Sequence, residues 1–267
     1  MAKQIEFTAK DVKAFTSWLK RFSLIDTQLL FEINESSKEF IAKTYNEERS
    51  VVKFSKVKFD DAGFSLKKGN SSERIKVGIY SIPKLLKVIE QFNSDEFCVV
   101  FKYEEIINDN DNELVGTSIL IKNDSLKVGI ECTSLNVFNY IKDDLFLNTI
   151  ANIDSKISFE LDKTSIDKIN SLCLLDKDHK FMQFLNKEGS IYAKSKAFEL
   201  LLSVSSDEEI KIDMLKEQFD KLDGENYSVN IGDDRIVFSS NESDTITVIS
   251  EVERDDRYEE GGSEDIL

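Results

Sequence analysis

Histidine and proline are almost missing from this chain, whose 267 residues contain one of each, His179 and Pro83. A catalytic triad, a zinc site or a histidine-based acid and base would rest on His179 alone. That residue lies in the polar run Asp176-Lys-Asp-His-Lys180 and reads as part of a turn. With a single proline and ten glycines, long structureless linkers have little room, so regular structure dominates. The three cysteines, Cys98, Cys132 and Cys173, are far apart and sit among apolar neighbours such as Val99, Ile130 and Leu172. They read as small core hydrophobes in a reducing compartment rather than as metal ligands or disulfide partners. No glycine-rich phosphate loop is present, no apolar run approaches a membrane span, and the N-terminus lacks the apolar stretch of a signal peptide. The expectation is a cytoplasmic protein with no catalytic residue, no metal and no cofactor.

What is present is charge, and it is strongly acidic. Asp and Glu number 51 against 35 Lys and Arg, a formal net charge of -16. Paired carboxylates are therefore too common to point to catalysis. The acidic run at 108–113 superficially resembles a calcium loop, but it lacks the glycine and the distal glutamate of an EF-hand and reads as a solvated hairpin tip. Net charge of this sign argues against nucleic-acid binding, which needs cations at phosphates. That argument fails only if the cations are sorted onto one face.

Hydrophobic periodicity gives an α+β chain with a repeated order of elements. A short alternating strand at 4–7 precedes a helix at 8–22, with Thr8 as its cap. Strands follow at 29–33, 39–45, 51–59 and 74–80, then a helix at 81–92 with Pro83 in its first turn, then strands at 96–106, 115–122 and 126–132. The second half repeats the pattern: strand 156–161, helix 164–174, strands 181–185, 190–194 and 198–204, a helix entered at 210–212 and ending near 222, and strands 227–231, 235–239 and 245–252. The implied domains are 1–133 and 155–253, joined by a connector at 134–154 and followed by an acidic, disordered tail at 254–267.

Projected at about 100 degrees per residue, the first helix places Val12, Phe15, Leu19 and Phe22 on one side, and Lys10, Lys13, Lys20 and Arg21 on the other. The second helix turns Ile82, Leu85, Leu86, Ile89 and Phe92 inward and leaves Lys84 and Lys87 outward. In the third, Ile166, Ile169, Leu172 and Cys173 share the core side, with Lys163 and Lys168 around the polar side. The fourth breaks the series, since Asp213, Glu217 and Asp220 face outward with Lys221 at the edge. Trp18, the only tryptophan, reads as core packing rather than as a base-stacking platform, because no aromatic ladder accompanies it.

Three segments resemble the DNA polymerase sliding clamps, specifically the trimeric type found in large tailed phages and, as proliferating cell nuclear antigen, in eukaryotes. They are Ile79-Tyr-Ser-Ile-Pro-Lys-Leu-Leu-Lys-Val-Ile89; the stretch 175–194 with its Lys187-Glu-Gly189 turn; and 212–249 with its Asp223-Gly-Glu-Asn-Tyr227 turn. With the repeated order of elements the likeness spans residues 1–253. It implies a clamp fold of two similar domains, each with two helices on antiparallel sheets, closed into a homotrimeric ring whose helices face double-stranded DNA. Sequence-independent phosphate contacts would come from Lys10, Lys13, Lys20, Arg21, Lys84, Lys87, Lys163, Lys168 and Lys221. A loader would open the ring with ATP, and a polymerase would dock through a short peptide near the connector. There Val137, Phe138, Tyr140, Ile141, Leu145 and Phe146 either line a peptide groove or anchor the connector on the domains. Edge-strand pairing would close the ring, with Leu126, Val128 and Ile130 of one copy against Phe198, Leu200 and Leu202 of the next. Two other readings fit an acidic, non-catalytic chain: a viral structural or assembly protein, and an acidic DNA mimic that inhibits a DNA-binding enzyme.

Overall fold

The computed structural model describes residues 3–69, 71, 73–92, 96–107, 112–138, 143–175, 177–204 and 209–252. Two compact units emerge: Met1–Asn152 together with Ser239–Thr247, and Ile153–Phe238 with the stretch from Val248. Tyr140, Ile141, part of the 108–113 hairpin tip and the tail at 254–267 lie outside the described residues.

In the first unit, β1 (Lys3–Ala9) buries Ile5, Phe7 and Ala9 completely, an alternation that commits the segment to a strand. It pairs antiparallel with β7 (Phe97–Ile107) on one side and β5 (Phe64–Lys68) on the other. This double pairing corrects the expected helix start. Thr8 belongs to the strand, Lys10 and Asp11 form a turn, and α1 spans Lys13–Ser23 with no side-chain cap. The turn is tight because the Lys10 amide donates to the Gly63 carbonyl at 2.9 Å, and Asp11 takes a left-handed φ of 50°. A Cβ on Gly63, itself at φ 82°, would lie 2.5 Å from the Lys10 carbonyl oxygen.

Next come β2 (Leu29–Asn34), β3 (Glu39–Tyr45), β4 (Val51–Lys58), β6 (Ile75–Ile79), α2 (Ile82–Glu90), β8 (Asn112–Lys122) and β9 (Lys127–Glu131). Within the unit the strand order is β4-β3-β2-β6-β8-β7-β1-β5, with β9 on β8. All these pairs are antiparallel except the short β6–β8 contact. Strand β5 has no counterpart among the alternating runs read from the sequence.

Helices α1 and α2 pack together over a phenylalanine-rich core. Phe40 lies 4.7 Å from Phe59 and 5.0 Å from Phe15, and Phe7 meets Phe59 edge-on at 4.9 Å, the offset geometry aromatic rings favour. Trp18 is buried, stacked on Phe15, and donates its indole N–H to Ser55 Oγ at 3.1 Å. Ser55 Oγ in turn lies 2.8 Å from Thr245 Oγ1, which belongs to the 239–247 stretch of the same unit.

The second unit carries β10 (Ile157–Leu161), α4 (Lys163–Leu175), β11 (Phe181–Lys187), β12 (Ser190–Lys194), β13 (Glu199–Val204), β14 (Ile210–Leu215), α5 (Lys216–Phe219) and β15 (Tyr227–Ile231), while β16 (Arg235–Ser240) and β17 (Asp244–Ser250) are divided between the two units at Ser239 and Thr247. One sheet runs β13-β12-β11-β14 and a second run is β10-β15-β16-β17. Phe184, Phe219 and Phe238 meet in its core. The expected fourth helix is mostly strand: Ile212 and Met214 are buried by pairing β14 with β11, and only four residues remain helical. Two-residue alternation at 210–215 outweighed the helical spacing of Ile212, Leu215, Phe219 and Leu222.

Candidate nucleic-acid interface

The inward faces of the helices fall where periodicity placed them. Phe15, Trp18, Leu19 and Phe22 of α1, and Ile82, Leu85, Leu86 and Ile89 of α2, are buried, as are Ile166, Ile169 and Cys173 of α4. Burying one face exposes the other. Lys13 and Lys20, Lys84 and Lys87, and Lys163 and Lys168 are exposed on α1, α2 and α4, and Lys10 is exposed in the turn before α1.

Local chemistry fixes the starts of two of these helices. Ser81 Oγ accepts the Lys84 amide at α2, where Pro83 occupies the first turn. Asp162 accepts the Ser165 amide at 2.6 Å before α4, a bond that holds its carboxyl below the ordinary value.

Among the described residues, Lys10, Lys20, Lys84, Lys87, Lys163 and Lys168 make no ion pair, and Lys13 reaches only Asp11 at 3.8 Å, with both side chains open to water. Strand cations differ. Lys3 pairs with Glu105, Lys58 with Glu39, Lys67 with Glu6 and Lys76 with Glu113. Lys68, Lys102 and Lys122 also lack an ion pair, so pairing alone does not separate the two groups. The helices stand out because α1 contains no acid, α2 contains only Glu90, and α4 contains only Asp167.

Two of the nine cations take other places. The Arg21 guanidinium donates to Ser243 Oγ at 2.6 Å and Thr245 Oγ1 at 3.1 Å, so it fastens the end of α1 to the 239–247 stretch of its own unit. Lys221 is half-buried beyond α5.

Among the described residues β9 pairs only with β8, and β13 only with β12. Leu126 is exposed, while Val128 and Ile130 lean onto the core. Phe198, Leu200 and Leu202 are half-buried. A register shift between Ile191 and Tyr192 breaks the alternation of β13, and the exposed residues are Leu201, at 55%, and Val204, at 79%. Periodicity alone missed that bulge. It also missed Leu174 and Leu175, which α4 leaves exposed at its C-terminal end.

The described part of the connector packs on the first unit. It comprises a 3-10 turn at Leu135–Val137, the helical turn α3 at Asp143–Leu145 and a wider, π-type turn at Phe146–Ile150. Phe146 is fully buried and stacked on Phe54, with ring centroids 5.3 Å apart, so it anchors the connector. The Phe138 ring covers Gly78, where a Cβ would meet it at 2.7 Å. Val137 and Leu145 are exposed, as is Leu147, which was not singled out from the sequence.

Between these anchors Asp143 pairs with Lys43 and lies 2.5 Å from Arg74, which also reaches Glu32 at 2.8 Å. Burial alone would raise the Asp143 carboxyl, but hydrogen bonds from Lys43 and Arg74 outweigh it and hold the group below its ordinary value. Nothing in the spacing of residues 32, 43, 74 and 143 announces this cluster.

The cysteines have structural surroundings. Burial pushes the Cys132 thiol up to about 12, and Cys98, raised by burial and by the Glu6 carboxylate, donates to Glu6 at 3.3 Å. Among the described residues no group of three His, Cys, Asp or Glu side chains is placed to hold a metal ion.

This arrangement of strands and helices is the sliding-clamp fold. The chain is similar over 95% of its length, and 100% of the other chain, to the proliferating cellular nuclear antigen of Entamoeba histolytica, with a TM-score of 0.64 and 10% identity. It is similar over 94% of its length, and 99% of the other, to a chain in the structure of the C-terminal region of FEN-1 bound to A. fulgidus PCNA, with a TM-score of 0.62 and 11% identity. The DNA polymerase III beta chain of Streptococcus pneumoniae matches 95% of the chain with 67% of its own length, at a TM-score of 0.62 and 10% identity. Neither a family model nor a curated protein matches the sequence. At these identities the likeness is one of fold.

Proposed function

We propose that the chain is a sliding clamp, a non-catalytic ring of three copies that encircles duplex DNA and tethers a replicative polymerase. The observation that carries this reading is the set of exposed lysines on the nearly acid-free outward faces of α1, α2 and α4, in a chain of net charge -16. Such lysines make loose, sequence-independent phosphate contacts, and sliding follows because no base-specific hydrogen bond is broken at each step. Long-range attraction cannot hold DNA to an assembly that triples this negative charge, so retention would come from topological closure.

The open edges supply a means of closure. In the first unit the 244–247 stretch of β17 neighbours β4 in the strand order. By their place in the pairing scheme, β9 is the counterpart of β17 and β13 the counterpart of β4. Pairing β9 of one copy with β13 of the next would repeat an arrangement the chain already uses. Partner docking near the connector would use Val137, Leu145 and Leu147, the exposed large apolar residues there among the described ones. The C-terminal region of FEN-1 bound to A. fulgidus PCNA is a precedent for a partner segment on this fold. By the same reading the protein acts in the cytoplasm beside the replication machinery, in a phage-infected cell if its origin is viral.

Loading onto nicked circular DNA with a compatible loader, followed by linearisation, tests the proposal. Ring-shaped assemblies remain on the closed circle and run off after it is cut. Equal retention on the two templates would refute encirclement.

A further inference from the structure

The face of β6, β2, β3 and β4 turned away from the core carries Gly78, Glu32, Lys43 and Phe54, and the connector crosses it. Its hold is threefold. Thr133 donates its amide to the Gly78 carbonyl at 2.9 Å beside the Phe138 ring, Phe146 stacks on Phe54, and Asp143 sits between them on Lys43 and Arg74. The charged contact differs in kind from the other two. Glu32, Lys43, Arg74 and Asp143 form a cluster with two charges of each sign, in which the Lys43 and Glu32 side chains are only 3% and 2% exposed. Three members come from the sheet and its flanking loop, and among the described residues Asp143 is the member that comes from the connector. At the depth of Lys43 and Glu32 salt screens the pairs weakly, and taking away the Asp143 carboxylate removes a charge-assisted bond from both Lys43 and Arg74.

We propose that Asp143 is the catch of a strap: its carboxylate, gripped by Lys43 and Arg74, holds residues 143–150 against the sheet, and neutralising it releases that segment while the sheet stays folded. Release would change which apolar surface the first unit presents. Fastened, the strap exposes Leu145 and Leu147 and buries Phe146. Opened, it uncovers Phe54, whose neighbours on the same face of the sheet are Val52 and Ile41. The device needs one copy of the chain and no DNA, so it stands or falls separately from the ring.

Hydrogen exchange read by mass spectrometry on the full chain tests it. Asp143→Asn, which keeps the shape and removes the charge, raises exchange across 143–150 by about tenfold or more, while β2 and β3 stay within about twofold of the parent. Asp143→Glu, which keeps the charge, stays within about threefold of the parent across the same segment. Phe146→Ala opens 143–150 as Asp143→Asn does. Unchanged exchange in Asp143→Asn, an equal rise in β2 and β3, or a Glu variant as open as the Asn variant would each overturn the assignment, the last because shape rather than charge would then be the fastening.

Discussion

Set side by side, the two units share almost every strand pairing and differ in what sits on top. β1 pairs with β7 as β10 pairs with β15, and β2, β3 and β4 follow one another as β11, β12 and β13 do. β6 lies against β2 as β14 lies against β11, and β7-β8-β9 matches β15-β16-β17. The helices diverge. α1 and α4 are similar in length, but α2 has nine residues and α5 has four. Ser81 and Pro83 launch α2, whereas α5 follows β14 directly and buries Lys216 and Gln218 beside its core residue Phe219. Alternating apolar residues hold the sheets to one scheme. Helix length and helix charge are left free to differ, and they place the lysine-rich, acid-poor faces mostly on the first unit.

The largest effect should come from the edge that distinguishes β13 from its counterpart β4. β4 is flanked by β3 and by the 244–247 stretch of β17, whereas β13 pairs with β12 alone among the described residues. Leu201→Asp, at an exposed position, should leave the isolated chain folded and abolish assembly, as read by light scattering beside circular dichroism. An assembly of unchanged mass would take β13 out of the closure.

Next in size is the core. Phe40→Ala, inside the larger aromatic cluster, should cost about 3–5 kcal/mol, and Phe184→Ala in the second unit should fall toward the low end of that range. Urea unfolding followed separately in the two units by hydrogen exchange would compare them. A larger loss for Phe184→Ala would reverse the ranking.

The smallest effect concerns the helix faces. Reversing Lys20 and Lys84 together should reduce retention on circular DNA by roughly tenfold at moderate salt, and reversing Lys163 and Lys168 should reduce it by roughly threefold. Neither pair should alter the assembled mass. If the second pair proves as costly as the first, the two units contribute equally to the DNA-facing surface.

Most of this organisation was legible in the sequence because it is written in local periods. The inward faces of α1, α2 and α4 and the alternating strands follow from spacing alone. What periodicity could not supply are contacts between residues far apart in the chain. Arg21 looks like one more outward cation until Ser243 and Thr245 are folded against it. Asp143 looks like one more surface acid until Lys43 and Arg74 surround it. Thr8 resembles a helix cap because the pull of β5 and β7 on β1 lies outside its sequence window. The bulge in β13 shifts the parity only past Leu202, where Val204 turns outward on the same side as Leu201.

The bonds from Arg21 and Ser55 to Ser243 and Thr245 bear on how the polypeptide is made. Domains usually acquire their folds in order as the chain leaves the ribosome. Here the first unit waits for residues 239–247, which are translated only after Ile153–Phe238 of the second, so a nascent chain stopped short of residue 239 would emerge with β4 uncapped and that hydroxyl network unmade. Completion of the first unit is thereby deferred until most of the second has been made.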